Sequence, residues 1–227
     1  MKRYNRRMGS EPIIVLASGS QRRRDIIGAL DVSVEIVPSG IEERSPGLTE
    51  RPEEYVASIA ADKADAVSAN GHSGTLVIGA DTSVVLDERI FGKPENDIEA
   101  RVMLTALRGR SHRVVTGVTA MHNDTSASSV TSSEVTVREY SDGEMEAYIE
   151  SGEPFDKAGG YAIQDEWFAP VSAISGCYLN VVGFPLCEVI RLLSDVGVDV
   201  RLKPQWRPPE RCPTDCPVRV VSEATFS

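Results

Sequence analysis

GADTSVVLDERIFGKP, residues 79–94, decides the fold of this chain. Leu76, Val77 and Ile78 lead into it, so the segment reads as a strand that carries Asp81 between Ala80 and the apolar pair Val84 and Val85. A strand with that much aliphatic sequence is expected to be buried on both faces, where an unpaired carboxylate is expensive. A cation, a metal or a retained proton must compensate, and each marks a reaction site. Beyond a turn through Asp87, Glu88 and Arg89, Gly92-Lys93-Pro94 returns a fixed positive charge towards the same neighbourhood.

The chain has 227 residues and a net charge of -10, so it can bury a large core, as one domain or as two lobes sharing a cleft; the two-lobed form is favoured. The acidic balance argues against a nucleic-acid polymer as partner. Apolar runs fall short of the roughly 18 residues a membrane span needs, and the expectation is a soluble, cytoplasmic protein. Cys177, Cys187, Cys212 and Cys216 lack the paired spacing of a zinc site, so reduced thiols are expected, with a metal or disulfide at Cys212/Cys216 as the alternative.

Working outward, Ile13–Leu16 reads as a buried strand, Ser18-Gly19-Ser20 as a turn with Ser20 as N-cap, and Gln21–Leu30 as a helix. Arg22, Arg23 and Arg24 put the wrong charge at that helix start. Either an anion docks there, or the arginines pair with Glu42 and Glu43, which follow a strand at Val34–Val37. A long helix runs from Thr49 and Pro52 to about Asn70, and Lys63 falls in the middle of its apolar face of Val56, Ile59, Ala60 and Val67. That lysine either snorkels to solvent or points its ammonium into a cleft, and the central position favours the cleft.

Downstream, a helix capped by Asn96 or Asp97 precedes a hairpin of Val114–Met121 and Val130–Tyr140, followed by a helix at Asp142–Ser151. DKAGGYAIQ, residues 156–164, has paired glycines beside a Lys and a Gln, the pattern either of a backbone that approaches something closely or of a tight structural turn. A strand is expected at Ile174–Val182 and a last helix from Pro185. From Pro204 the chain is proline-rich and reads as an irregular or disordered tail.

Taken together, LASGSQRRRDII (residues 16–27), Glu42-Glu43, Ala61-Asp62-Lys63-Ala64, GADT with GKP, and DKAGGYAIQ resemble the Maf family, the septum-formation-inhibitor-like nucleotide pyrophosphatases, from about Ile13 to Val196. The resemblance implies an α/β fold: an elongated mixed sheet with flanking helices in two lobes around a cleft, similar to inosine triphosphate pyrophosphatases. It implies a domain at 13–198 and leaves the two ends unmatched: an arm at 1–12, whose four basic side chains allow a short targeting segment but favour a disordered start, and the proline-rich tail at 199–227. It further implies hydrolysis of a nucleoside triphosphate to monophosphate and pyrophosphate with a divalent cation, Mg²⁺ or Mn²⁺, by a homodimer. By position Asp81 matches the family's catalytic acidic residue, with Lys63 and Lys93 as catalytic cations, while Ser18, Arg23 and Glu43 match phosphate- and metal-handling groups, Glu43 sharing the metal with Asp81. Arg22, Thr82 and Gln164 match positions tied to base selection, and the DKAGxYxIQ form looks like the branch acting on dTTP and UTP. Gln21 stands where the family commonly has Pro, and Gly160 and Ala162 replace its usual Ala and Gly. The alternative is a regulatory nucleotide-binding protein of cell division that needs no turnover.

Overall fold

The computed structural model describes residues 13–72 and 74–218; the expected arm at 1–12 lies outside them. The chain is a mixed α/β fold. Strands β1 (Ile13–Leu16), β2 (Ser33–Ile36), β3 (Leu76–Leu86), β5 (Ser111–His122), β6 (Thr125–Val137) and β7 (Val171–Ser175) form one sheet in the order β2-β1-β3-β5-β6-β7, and β4 (Arg89–Phe91) also pairs with β3. The β1 pairings with β2 and β3 are parallel and the others antiparallel. Helices α1 (Gln21–Ile27), α2 (Pro52–Ala69), α3 (Asp97–Leu107), α4 (Asp142–Glu150), α5 (Tyr178–Val182) and α6 (Leu186–Asp195) flank it.

Both faces of β3 are covered, as its aliphatic run requires. On one face α2 packs Ile59, Ala64 and Val67 towards Val77, Val85 and Val115. The approach is close because Gly79 and Gly117 have no side chain: a Cβ there would lie 2.1 Å from the Ala60 carbonyl oxygen and 2.4 Å from that of Val56. On the other face two apolar clusters occupy opposite ends of β3. One joins Ile78 and Ala80 to α1, α5 and α6, and the other joins Val84 and Leu86 to α3 and α4. Between them sit Thr82 and Thr116, whose hydroxyls are 3.0 Å apart.

The register leaves a break in the sheet. β5 pairs with β3 from Val77 through Val85. On the opposite edge β1 pairs with Leu76–Ile78 and β4 with Val84–Leu86, so neither covers residues 79–83. Asp81 lies in that opening.

One expectation is corrected and one is narrowed. The strand expected at Ile174–Val182 stops at Ser175; Gly176 turns the chain at φ 109 and the helix α5 follows. Cys177 Sγ accepts from the Asn180 N–H at 3.4 Å, and the Asn180 side chain turns inward to donate to the Val114 carbonyl and Ser133 Oγ. These polar anchors, not the apolar count, choose helix over strand. Of the two readings of the tail, irregular or disordered, the irregular one describes it as far as Val218, and it is packed: Lys203 N–H donates to the Ala29 carbonyl at 2.8 Å, and Cys212, Cys216 and Val218 are buried in the α1/α5/α6 cluster. Cys216 Sγ lies 3.5 Å from Cys187 Sγ, and all four cysteines are free thiols. Among the described residues no helix is long and apolar enough to cross a membrane.

His112 supplies a pH prediction. It is buried in β5 with Nε2 2.7 Å from the Tyr161 hydroxyl, and burial pushes its pKa down from 6.5 to about 4. The unfolded chain therefore takes up this proton first, and stability falls as pH drops from 6.5 towards 4. His112→Gln, which keeps a partner for Tyr161, is expected to flatten the fall in urea midpoint over that window.

Candidate active site

The centre of the site is an ammonium held between two carboxylates. Lys63 follows Ile59 and precedes Val67 at helical spacing, so α2 presents it to the sheet along with its apolar neighbours. Period two in β3 turns Asp81 towards the same helix. Lys63 Nζ lies 2.8 Å from Asp81 Oδ1 and 2.7 Å from Glu43 Oε1. Lys63 and Asp81 are both buried, whereas the Glu43 side chain is 45% exposed and faces the opening. Lys63 thus points inward rather than snorkelling, and it supplies the compensation that Asp81 requires.

Glu43 comes from the loop between β2 and α2. Arg44, its neighbour, is clamped on Glu50 at 2.7 and 2.5 Å, and its carbonyl accepts from the Tyr55 hydroxyl at 2.8 Å. That anchoring keeps the glutamate over the opening. Burial alone would raise the Glu43 pKa, but the Lys63 hydrogen bond and the charges of Lys63, Lys93 and Arg23 outweigh it and hold the carboxyl below its usual value. Lys93, exposed on the turn after β4, therefore acts on this group through its field.

Arg23 reaches the same opening from the other face. Its Nη1 donates to the Ala80 carbonyl at 2.7 Å and to Ser18 Oγ at 3.2 Å, its Nη2 to Thr82 Oγ1 at 3.0 Å, and its Nε to the Gly183 carbonyl at 3.0 Å. Burial lowers its pKa, while the charges of Asp81 and Glu43 work against that shift. Neighbours on one strand, Asp81 and Thr82 therefore serve opposite faces that meet at the uncovered edge.

The pairing of the arginines with Glu42 and Glu43 is not what forms. Arg22 instead bonds Asp156, 3.0 Å to the carboxylate and 3.2 Å to the carbonyl. Asp156 also accepts from Lys157 Nζ at 2.6 Å, and Lys157 is a second buried ammonium between carboxylates, with Glu153 at 2.9 Å. Asp156 and Lys157 lie in a motif the sequence singled out, but their part in fixing Arg22 depends on a partner 134 residues away. Gly159, at φ 70, donates its N–H to the Gly92 carbonyl at 2.9 Å and packs on Val84, which ties this turn to the one bearing Lys93. Gln164 is exposed and stands apart from the carboxylates; with Arg22 it lines a cavity of about 320 Å³.

Among the described residues there is no group of three or more His, Cys, Asp and Glu side chains that could hold a metal ion. The candidate donors are the pair Glu43 and Asp81, which both contact Lys63. Such a pair fits a hard cation that takes the rest of its shell from water and a bound phosphate, as Mg²⁺ commonly does, and does not fit a closed protein cage.

The profile of the family described as Maf-like protein matches residues 13–196. A Bacillus cereus (strain ATCC 10987 / NRS 248) protein named dTTP/UTP pyrophosphatase is 43% identical over 187 residues, 82% of this chain and 91% of that protein. One of the same name from Thermomicrobium roseum is 42% identical over 205 residues, 90% of this chain and 93% of its own length. Among solved structures, a HAM1 protein from Coxiella burnetii overlaps 56% of this chain and 73% of its own, at 17% identity and a TM-score of 0.40. An overlap of that size decides nothing about this chain's chemistry.

Proposed function

The chain belongs to the Maf-like protein family, and from that premise we propose that it hydrolyses dTTP and UTP to the monophosphate and pyrophosphate. The observation that carries this reading is the group Glu43–Lys63–Asp81 at the uncovered edge of β3, with Arg23 arriving from behind. A protein that only bound nucleotide would gain little from carboxylates set among phosphate ligands.

Water attacks the α-phosphorus, the bond to the bridging oxygen breaks, and pyrophosphate leaves. Lys63 Nζ already bonds Asp81 Oδ1, so the water's proton passes to Oδ2. Lys93 and Lys63 offset the charge that develops on the phosphate oxygens, and Ser18 and Arg23 border the place where the phosphates lie. Glu43 and Asp81 would hold a divalent cation, Mg²⁺ or Mn²⁺, which when bound neutralises polyphosphate charge. Arg22, Thr82 and Gln164 handle the base. The homodimer implied by the family resemblance belongs to the same proposal.

A panel of nucleoside triphosphates with Mg²⁺ or Mn²⁺, scored for pyrophosphate release, tests the reading. dTTP and UTP are expected to lead. Binding without release would return the regulatory alternative. In the same panel Gln164→Ala is expected to shift the UTP-to-CTP rate ratio by about tenfold, because an amide offering both donor and acceptor distinguishes the two pyrimidine edges. An unchanged ratio removes Gln164 from base selection.

A further inference from the structure

The cavity shared by Arg22 and Gln164 has a wall that the family match does not reach. Residues 13–196 supply Arg22 from α1, Gln164 from the turn after the paired glycines, and Tyr178 and Leu179 from α5. The remaining side is built by Trp206, Arg207 and Pro209.

This wall is held at both ends. Before it, the Asp31 N–H donates to the Arg201 carbonyl and the Lys203 N–H to the Ala29 carbonyl, each at 2.8 Å. After it, Arg211 donates to the Ile163 carbonyl at 3.2 Å, and Cys212 and Cys216 are buried in the core. Within it, the Trp206 N–H bonds the Lys203 carbonyl at 3.0 Å, and the indole packs against the α1/α5/α6 cluster. Trp206 is therefore positioned before any ligand arrives.

The lining chemistry suits one kind of group. Two aromatic side chains, Tyr178 and Trp206, line it beside Leu179 and Val182, and its polar lining groups are the Gln164 amide, the Arg22 and Arg207 guanidinium groups and the Asp25 carboxylate. A planar heterocycle with carbonyl and N–H groups on its edge matches that combination. Two of its lining residues, Arg22 and Val182, are chain neighbours of Arg23 and of Gly183, whose carbonyl accepts from Arg23 Nε at 3.0 Å, so the cavity and the proposed phosphate site draw on the same two segments. We infer that the segment 203–209 completes the nucleobase subsite and that Trp206 is a specificity-determining residue for the pyrimidine. The inference rests on the pyrophosphatase reading for its substrate, yet it can fail separately.

Trp206 and Trp167 are the two tryptophans of the chain, and Trp167 is 66% exposed at the surface. Trp167→Phe therefore leaves Trp206 as a single fluorophore. Adding UTP in EDTA is expected to quench it saturably, and inorganic tripolyphosphate is not. In the full chain, Trp206→Ala is expected to lower kcat/KM for dTTP and UTP by about tenfold, near the lower end of what aromatic stacking on a base contributes. Trp206→Phe restores most of that loss, and the Ki of tripolyphosphate as competitor stays the same in both variants. Fluorescence unmoved by saturating UTP, or a kcat/KM unchanged in Trp206→Ala, overturns the inference. Quenching by UTP without any pyrophosphate release sustains the subsite and overturns the pyrophosphatase reading instead.

Discussion

Asp81→Asn is expected to slow pyrophosphate release from UTP by about 10³-fold, within the range attributed to a positioned general base. The substitution keeps the side chain's shape and removes its charge, so Lys63 remains with Glu43 and the packing of α2 on β3 is undisturbed. Oδ2 is the atom assigned to the water's proton, and in the variant an amide stands there. Steady-state rates at saturating UTP and metal, with a urea melt to confirm folding, make the comparison. Turnover within a few-fold of wild type would take Asp81 out of the reaction.

Lys63→Met carries the largest stability effect. Its side chain and that of Asp81 are 9% and 8% exposed, and Lys63 Nζ is the cation paired directly with Asp81. Removing one member of a buried pair leaves the other charge without compensation, which costs about 3–5 kcal/mol. The urea midpoint should fall accordingly, and activity should be lost with it. The double variant Lys63→Met/Asp81→Asn should regain much of the stability and none of the turnover, because the remaining groups no longer bury an isolated charge. Equal midpoints for Lys63→Met and wild type would mean that Asp81 is compensated elsewhere.

Lys63 and Asp81 were readable from the chain because each breaks a local pattern: a charge on the apolar face of a helix and a charge within an aliphatic strand. Glu43 breaks no pattern in its acidic loop, and only the family resemblance singled it out. The meeting of Arg23 and Asp81 from opposite faces was not readable at all. It depends on where β1 ends and β4 begins along β3, a matter of register that periodicity does not contain. The segment Tyr178–Val182 was misjudged because a short apolar run fits strand and helix alike, and the inward bonds of Asn180 settled it. Composition left the tail open between irregular and disordered, because it does not show what is buried. Its prolines forbid regular structure, but a few buried side chains, Cys212, Cys216 and Val218, suffice to fasten it.

The uncovered stretch of β3 has one more consequence. A bare strand edge offers backbone groups to any extended segment of another chain, which is the usual start of aggregation. Arg23 guards against it: its guanidinium already occupies the Ala80 carbonyl, and a buried cation lies where an incoming strand would have to pair. The side chain proposed to border the phosphates would thus also keep the opening from being zipped shut by a neighbour.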